Sequence, residues 1–304
     1  MTTNVDLPPA GAAPPSTEEV GGRRPPREKG DFGVLNVFSH GFLIVWGVLV
    51  AFPLLWMVFT SLKTDKEIFT SPWTLPSKPQ FTNYVRAWDN AGIGRYFTNT
   101  LIVVIGGVLL TLLLSSMVAY VLARYTFPGS RIVYYLFIIG LAFPIFLAIV
   151  PLFFVAKNFG MTNSLPGLIV IYAAYSLPFS VFFLTAFFRT LPNQLAEAAF
   201  IDGCGHWGAF FRVMLPLAKP GLVSIGIFNV LGQWNQYLLP VVLETDPHKY
   251  MLAQGLANLA VSSGYKSDWS GLFAGLTISM LPVLVVYALF QRQVQAGMTA
   301  GALK

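Results

Sequence analysis

Few residues in this chain have types and spacing that could do chemistry. Its three histidines, His40, His206 and His248, are scattered without ligand spacing, and the single cysteine, Cys204, excludes an internal disulfide and any Cys-rich metal site. There is no Gly-rich phosphate loop and no serine with a nearby base, so an intramembrane enzyme lacks a catalytic set. Two polar groupings remain. Asn229, Gln233 and Gln236 recur four and three residues apart on one helical face, with Trp234 and Asn235 beside it. Amides in hydrocarbon are costly unless paired, so this face looks into a cavity or bonds to another helix. The second grouping is the polar-bearing island of residues 197–216, between two stretches long enough to cross a bilayer.

The island reads as a helix, a break and a second helix. Pro192 suits a first helical turn, where its missing N–H costs nothing. Leu195, Ala198, Ala199 and Asp202 then fall near one face. Gly203 can take the left-handed conformation that closes a helix, and Trp207 begins a second apolar-faced turn. Ala198 and Ala199 are small enough for another surface to approach the backbone, and Glu197 offers one charge to a basic partner. From the residues alone, two readings stand: a docking surface, or a loop packed on its own helices.

The elements that hold these groups are membrane spans. At 55% hydrophobic, 15% aromatic and 11% charged residues over 304 positions, the chain exceeds the apolar share of a soluble protein. Six stretches reach the roughly 20 apolar residues of a crossing helix, at about 38–62, 98–122, 132–155, 165–188, 220–243 and 269–290. The expected fold is therefore all-α and polytopic, with domain 33–292 holding the six spans and the island's loop at 190–216. Residues 1–32, rich in Pro, Gly and small residues, read as a disordered cytoplasmic tail, and 293–304 as a C-terminal tail on the same side. The first apolar run comes too late and is too long for a cleaved secretory signal.

Placing the N-terminus inside puts eleven of the nineteen lysines and arginines on the cytoplasmic side, including Arg124 and Arg131 in one very short loop. The charge of +6 is spread over loops rather than clustered with aromatics, which suits anionic lipid headgroups rather than nucleic acid. Residues 63–98 carry Phe81, Tyr84, Val85 and Trp88 at helical spacing, as a short interfacial helix or a simple spacer. Pro144, Pro151 and Pro178 fall inside spans three and four and are expected to bend them, in a moving wall or in static packing. An ion-coupled secondary transporter would place ionisable groups at mid-membrane, and none of the six apolar cores contains Asp, Glu, Lys or Arg.

The pattern Glu197, Ala198, Ala199, three residues, Gly203, nine residues, Val213, one residue, Leu215, Pro216 resembles the signature loop of permease subunits of binding-protein-dependent carbohydrate ABC importers. The family's loop has isoleucine where this chain has Val213. The resemblance extends over Phe81, Asn83, Tyr84 and Trp88, over Phe97, Asn99, Thr100 and Leu101, and over Met161, Thr162, Asn163, Ser164 and Gly167. It covers nearly everything from Leu43 onward and is similar to the smaller, six-span permease of the maltose transporter. It implies a type I importer architecture, with Glu197, Ala198, Ala199, Asp202, Gly203, Leu215 and Pro216 docking a cytoplasmic ATPase.

The same resemblance implies partners: a second permease subunit in a heterodimer, an ATPase pair, an extracellular sugar-binding protein and a sugar. It places Asn229, Gln233, Trp234 and Gln236 on the translocation pathway, although in the maltose importer the partner permease builds most of the sugar site. The loop at about 244–268 is expected to meet the binding protein. No cofactor is expected on this chain; ATP and magnesium belong to the ATPase. The implied location is a bacterial inner membrane.

Overall fold

The computed structural model describes residues 34–266 and 268–300, and every regular element among them is helical. The tail 1–32 lies outside the described residues. The chain divides into two compact units, Met1–Phe52 and Pro53–Lys304. Helix α1 spans Val34–Ser61; the remaining elements belong to the second unit.

The centre of that unit is the pair α4 (Ile93–Arg124) and α7 (Leu165–Thr190). Val103 shares one apolar cluster with Leu168, Ile171 and Tyr172, while Ala119 and Tyr120 share another with Leu184 and Phe188. Early residues meet early and late meet late, so the two helices run parallel. Small residues allow this approach: a Cβ on Gly106 would sit 2.7 Å from Ile169 Cδ1, inside any real contact.

The first, second, fourth and sixth expected spans form long apolar helices: α1, α4, α7 and α13 (Trp269–Ala300). The third and fifth do not stay straight. Residues 132–155 divide into α5 (Ser130–Ala142) and α6 (Ile145–Asn158), bent by 107°. Phe143, held extended by the following ring, and Pro144 make the break. Pro151 and Pro178 remain inside continuous helices, so one proline of the three breaks its span. The fifth stretch becomes α10 (Lys219–Trp234), a break at 235–237 and α11 (Leu238–Leu243). Helix α13 runs to Ala300, past the expected start of the tail at 293, because residues 291–296 include good helix formers and no proline.

Sequence periodicity missed two helices, one near the start of α13 and one near the start of α4. Helix α2 (Asp65–Thr70) opens on a capping box between Thr64 and Glu67, and α12 (Leu252–Lys266) buries Leu252 and Leu256. The stretch expected to form an interfacial helix or a spacer does form a helix, α3 (Thr82–Val85), continued by a π-helical turn at Arg86–Asn90.

Three asparagines fasten the irregular segments at this end. Asn83 donates to the carbonyls of Ser61 (2.8 Å) and Lys63 (2.9 Å). Asn99 donates to the carbonyls of His248 (3.0 Å) and Tyr250 (3.1 Å). Asn163, at a left-handed φ of 49°, accepts from the amides of Thr245 (2.7 Å) and Asp246 (3.0 Å). A side-chain amide can replace a missing strand or helix partner for backbone groups, which is why each sits where two loops meet.

Candidate functional site

Residues 190–217 lie at the opposite end, under the C-termini of α4 and α7. Helix α8 (Gln194–Ile201) is followed by Gly203 at φ +83°, which lets the Gly203 amide donate to Phe200 (3.0 Å) and the Cys204 amide to Ala199 (2.9 Å). Helix α9 (His206–Leu217) then runs through a π-helical turn at Ala209–Met214 and meets α10 at 73°. The expected glycine break is present. Pro192 instead precedes the helix, which starts two residues later with Asn193 at its N-cap.

Burial separates the two alanines. Ala196 and Ala199, three apart, face inward; Glu197, Ala198 and Asp202 are exposed. Ala199 therefore seats the helix, and Ala198 is the small residue offered outward. From α9, Phe210 and Met214 insert between Tyr120, Leu184 and Phe188, while Trp207 and Phe211 stack outside at 6.0 Å with Trp207 66% exposed. Leu215 is half-buried, and Gly203 and Pro216 are exposed.

Polar contacts fix the island to α4. The Arg124 guanidinium donates to the Leu191 carbonyl (2.7 Å) and to Asn193 Oδ1, and the Tyr125 hydroxyl bonds His206 Nδ1 (2.9 Å). Arg124 and Tyr125 were not among the expected docking residues. Their signal was position: a basic residue in the last turn of a helix faces the carbonyls that follow it. Glu197 forms no ion pair among the described residues, so its charge is available to a partner. The arrangement is an exposed platform of two carboxylates, small residues and aromatic anchors.

The amide face lies on α10, against α7. Asn229 Nδ2 donates to Ser180 Oγ (2.9 Å) and Gln233 Nε2 to Ser176 Oγ (3.0 Å), so two amides on α10 bond two serines one turn apart on α7. Gln233 Oε1 is buried without a partner. It points at α4, where a Cβ on Gly107 would lie 2.5 Å away. Asn229, Gln233 and Gln236 line one open cavity of about 340 Å³, together with Tyr172, Tyr175 and Phe179 of α7 and with Gly140 and Phe143. Trp234 is not brought to it. Its ring is buried against Phe97 (5.4 Å), and its Nε1 donates to the Ser279 carbonyl (3.2 Å). A residue next to Gln233 in sequence points about 100° away around a helix, which explains the separation.

Residues 111–300 match the model of the binding-protein-dependent transport system inner membrane component family. The chain is 51% identical over 266 residues to the diacetylchitobiose uptake system permease protein of Streptomyces coelicolor, covering 88% of each chain. It is 34% identical to an arabinooligosaccharides transport system permease protein of Halalkalibacterium halodurans, over 88% of this chain and 96% of that one. It is 33% identical to the sulfoquinovosyl glycerol transport system permease protein of Agrobacterium fabrum, over 89% and 93%. In fold it is similar to a chain of a bacterial ABC transporter involved in import of the acidic polysaccharide alginate, with a TM-score of 0.76 over 85% of this chain and 96% of that one, at 20% identity. With the family model matched over more than half its length and a relative at 51% identity, this multi-pass chain belongs to the inner membrane components of binding-protein-dependent transport systems.

Proposed function

We propose that this chain is one permease half of an ATP-driven importer whose cargo is a carbohydrate handed over by an external binding protein. The observation that carries the reading is the island at 194–217, fixed to α4 through Arg124 and Tyr125 while Glu197, Ala198 and Trp207 face outward. A platform that cannot slide relative to α4 transmits a push applied to it. The relatives named for sugar compounds support carbohydrate as the cargo class. A cytoplasmic ATPase pair supplies ATP hydrolysis and its magnesium, and this chain is the non-catalytic wall. That wall then has two arrangements close in energy, and ATP favours one over the other.

The orientation that fits is N-terminus and island inside, with the asparagine-fastened loops outside. A second permease subunit closes the cavity of Gln236, Tyr175 and Phe179, and the loop at about 244–268 meets the binding protein. Within that cavity, Asn229 and Gln233 hold the wall together, and Gln236, beyond the end of α10, is the amide left for the passing sugar.

The test is uptake by the importer reconstituted in vesicles with its ATPase and binding protein. Glu197→Ala removes a charge from the docking interface, a loss of about 2–5 kcal/mol where the pair is desolvated. Uptake and co-purification of the ATPase fall together while membrane insertion is unchanged. Wild-type uptake with full ATPase association in this variant would overturn the assignment of the platform.

A further inference from the structure

A second polar recess, of about 220 Å³, lies where the start of α5 meets the end of α7, lined by Leu122, Ser130, Arg131, Tyr134, Tyr135 and Arg189. Its charges are of one sign. Arg131 is in the first turn of α5, where the unpaired helix amides already carry partial positive charge, and Arg189 is in the last turn of α7. Neither forms an ion pair among the described residues, and no carboxylate lines the recess. The Arg189 guanidinium lies 5.5 Å above the Tyr134 ring, which holds it in place without neutralising it. The carbonyl end of α7 favours the Arg189 charge, while Arg131 adds a second cation at the amide end of α5, so the recess presents two guanidinium groups to an anion.

The surroundings identify the anion. Along α5 from the recess, Ile132, Leu136 and Ile139 are exposed at four- and three-residue spacing, with Tyr135 between them. The recess therefore opens directly onto an apolar stripe running into the span. A free inorganic anion would have no use for that stripe, whereas a lipid places its headgroup phosphate at the polar edge and its acyl chains on apolar surface. We propose that Arg131 and Arg189 bind the phosphate of an anionic phospholipid, with Tyr134 and Tyr135 as flanking hydroxyl donors and Ile132, Leu136 and Ile139 as the acyl-chain track. Arginine suits the role because its planar fork can donate two hydrogen bonds to one phosphate. A lipid in this position bridges the start of α5 and the end of α7.

The experiment uses the purified, delipidated importer, titrated with phosphatidylglycerol, phosphatidylcholine or inorganic phosphate and read by native mass spectrometry. The wild type is expected to retain one phosphatidylglycerol in preference to phosphatidylcholine, with inorganic phosphate failing to displace it. Arg131→Gln and Arg189→Gln each weaken retention about fivefold, and the pair about thirtyfold. Replacing both by lysine keeps the charge and most of the binding, which separates loss of a site from loss of assembly. Undiminished phosphatidylglycerol binding by the double glutamine variant would overturn the site. Displacement by inorganic phosphate at matching concentration, or equal retention of phosphatidylcholine, would overturn the lipid as its ligand. Crosslinking of Arg131→Cys to a partner subunit in place of lipid would also overturn it and assign the recess to a protein interface.

Discussion

The contact between Gly107 and Gln233 predicts the result of a double-mutant cycle. A methyl group on residue 107 would sit 2.5 Å from Gln233 Oε1 and 3.3 Å from Tyr172 Cβ. The glutamine cannot easily retreat, because its Nε2 is held by Ser176 at 3.0 Å. Gly107→Ala is therefore an overpacking change, expected to destabilise by about 1–3 kcal/mol. Gln233→Ala removes one interhelical hydrogen bond, worth about 0.6 kcal/mol on average in a membrane protein, and with it the unpartnered oxygen. In the double variant the new methyl occupies space the amide has left. The two changes should then be non-additive, the double variant being about 1–2 kcal/mol more stable than the sum of the singles. Thermal unfolding of the purified importer, followed by tryptophan fluorescence in one detergent, gives all four corners of the cycle. Strict additivity would mean that the oxygen is not what opposes a side chain at 107, and the account of Gln233 as a wall-packing residue would fail.

Gly203→Val forces a β-branched residue to φ +83°, a strain of about 1–3 kcal/mol with nothing nearby to relieve it; uptake should drop while the variant inserts normally. Arg124→Met removes the donors to Leu191 and Asn193 and should uncouple the machine, leaving ATP hydrolysis with reduced uptake; tightly coupled uptake would show that the clamp is dispensable. Glu244, just beyond α11, is held up at about 7, chiefly by burial, with Asp246 raising it further and the Ser164 amide and Lys249 opposing. Its proton is bound more tightly in the folded protein than in the unfolded one, so stability should be highest below about pH 5 and fall as pH rises through 7. Melting curves across that range should show the slope, and Glu244→Gln should flatten it; an unchanged slope in that variant would assign the titration elsewhere.

The sequence alone determined the class of molecule. Six apolar stretches without charge, the basic residues between them and the spacing from Glu197 to Pro216 depend on composition and local periodicity, which need no tertiary information. The left-handed turn at Gly203 was legible for the same reason, since only its own backbone is involved. Tertiary packing decided the rest. Pro144, Pro151 and Pro178 look alike in sequence, yet only Pro144 falls at a break, while Pro151 and Pro178 stay inside continuous helices. Ala198 and Ala199 form one motif, but folding buries Ala199 and leaves Ala198 exposed, which divides them into an inward and an outward residue. Gln233 could have faced a cavity or another helix. It does both, lining the cavity with Asn229 and Gln236 while bonding Ser176 and approaching Gly107, and these contacts join residues 57 and 126 positions away in the chain. Asn83, Asn99 and Asn163 were visible as parts of familiar motifs, while their purpose depended on the distant carbonyls and amides they hold. Periodicity reports which way a side chain points around its own helix; which neighbour occupies that direction is set by the fold.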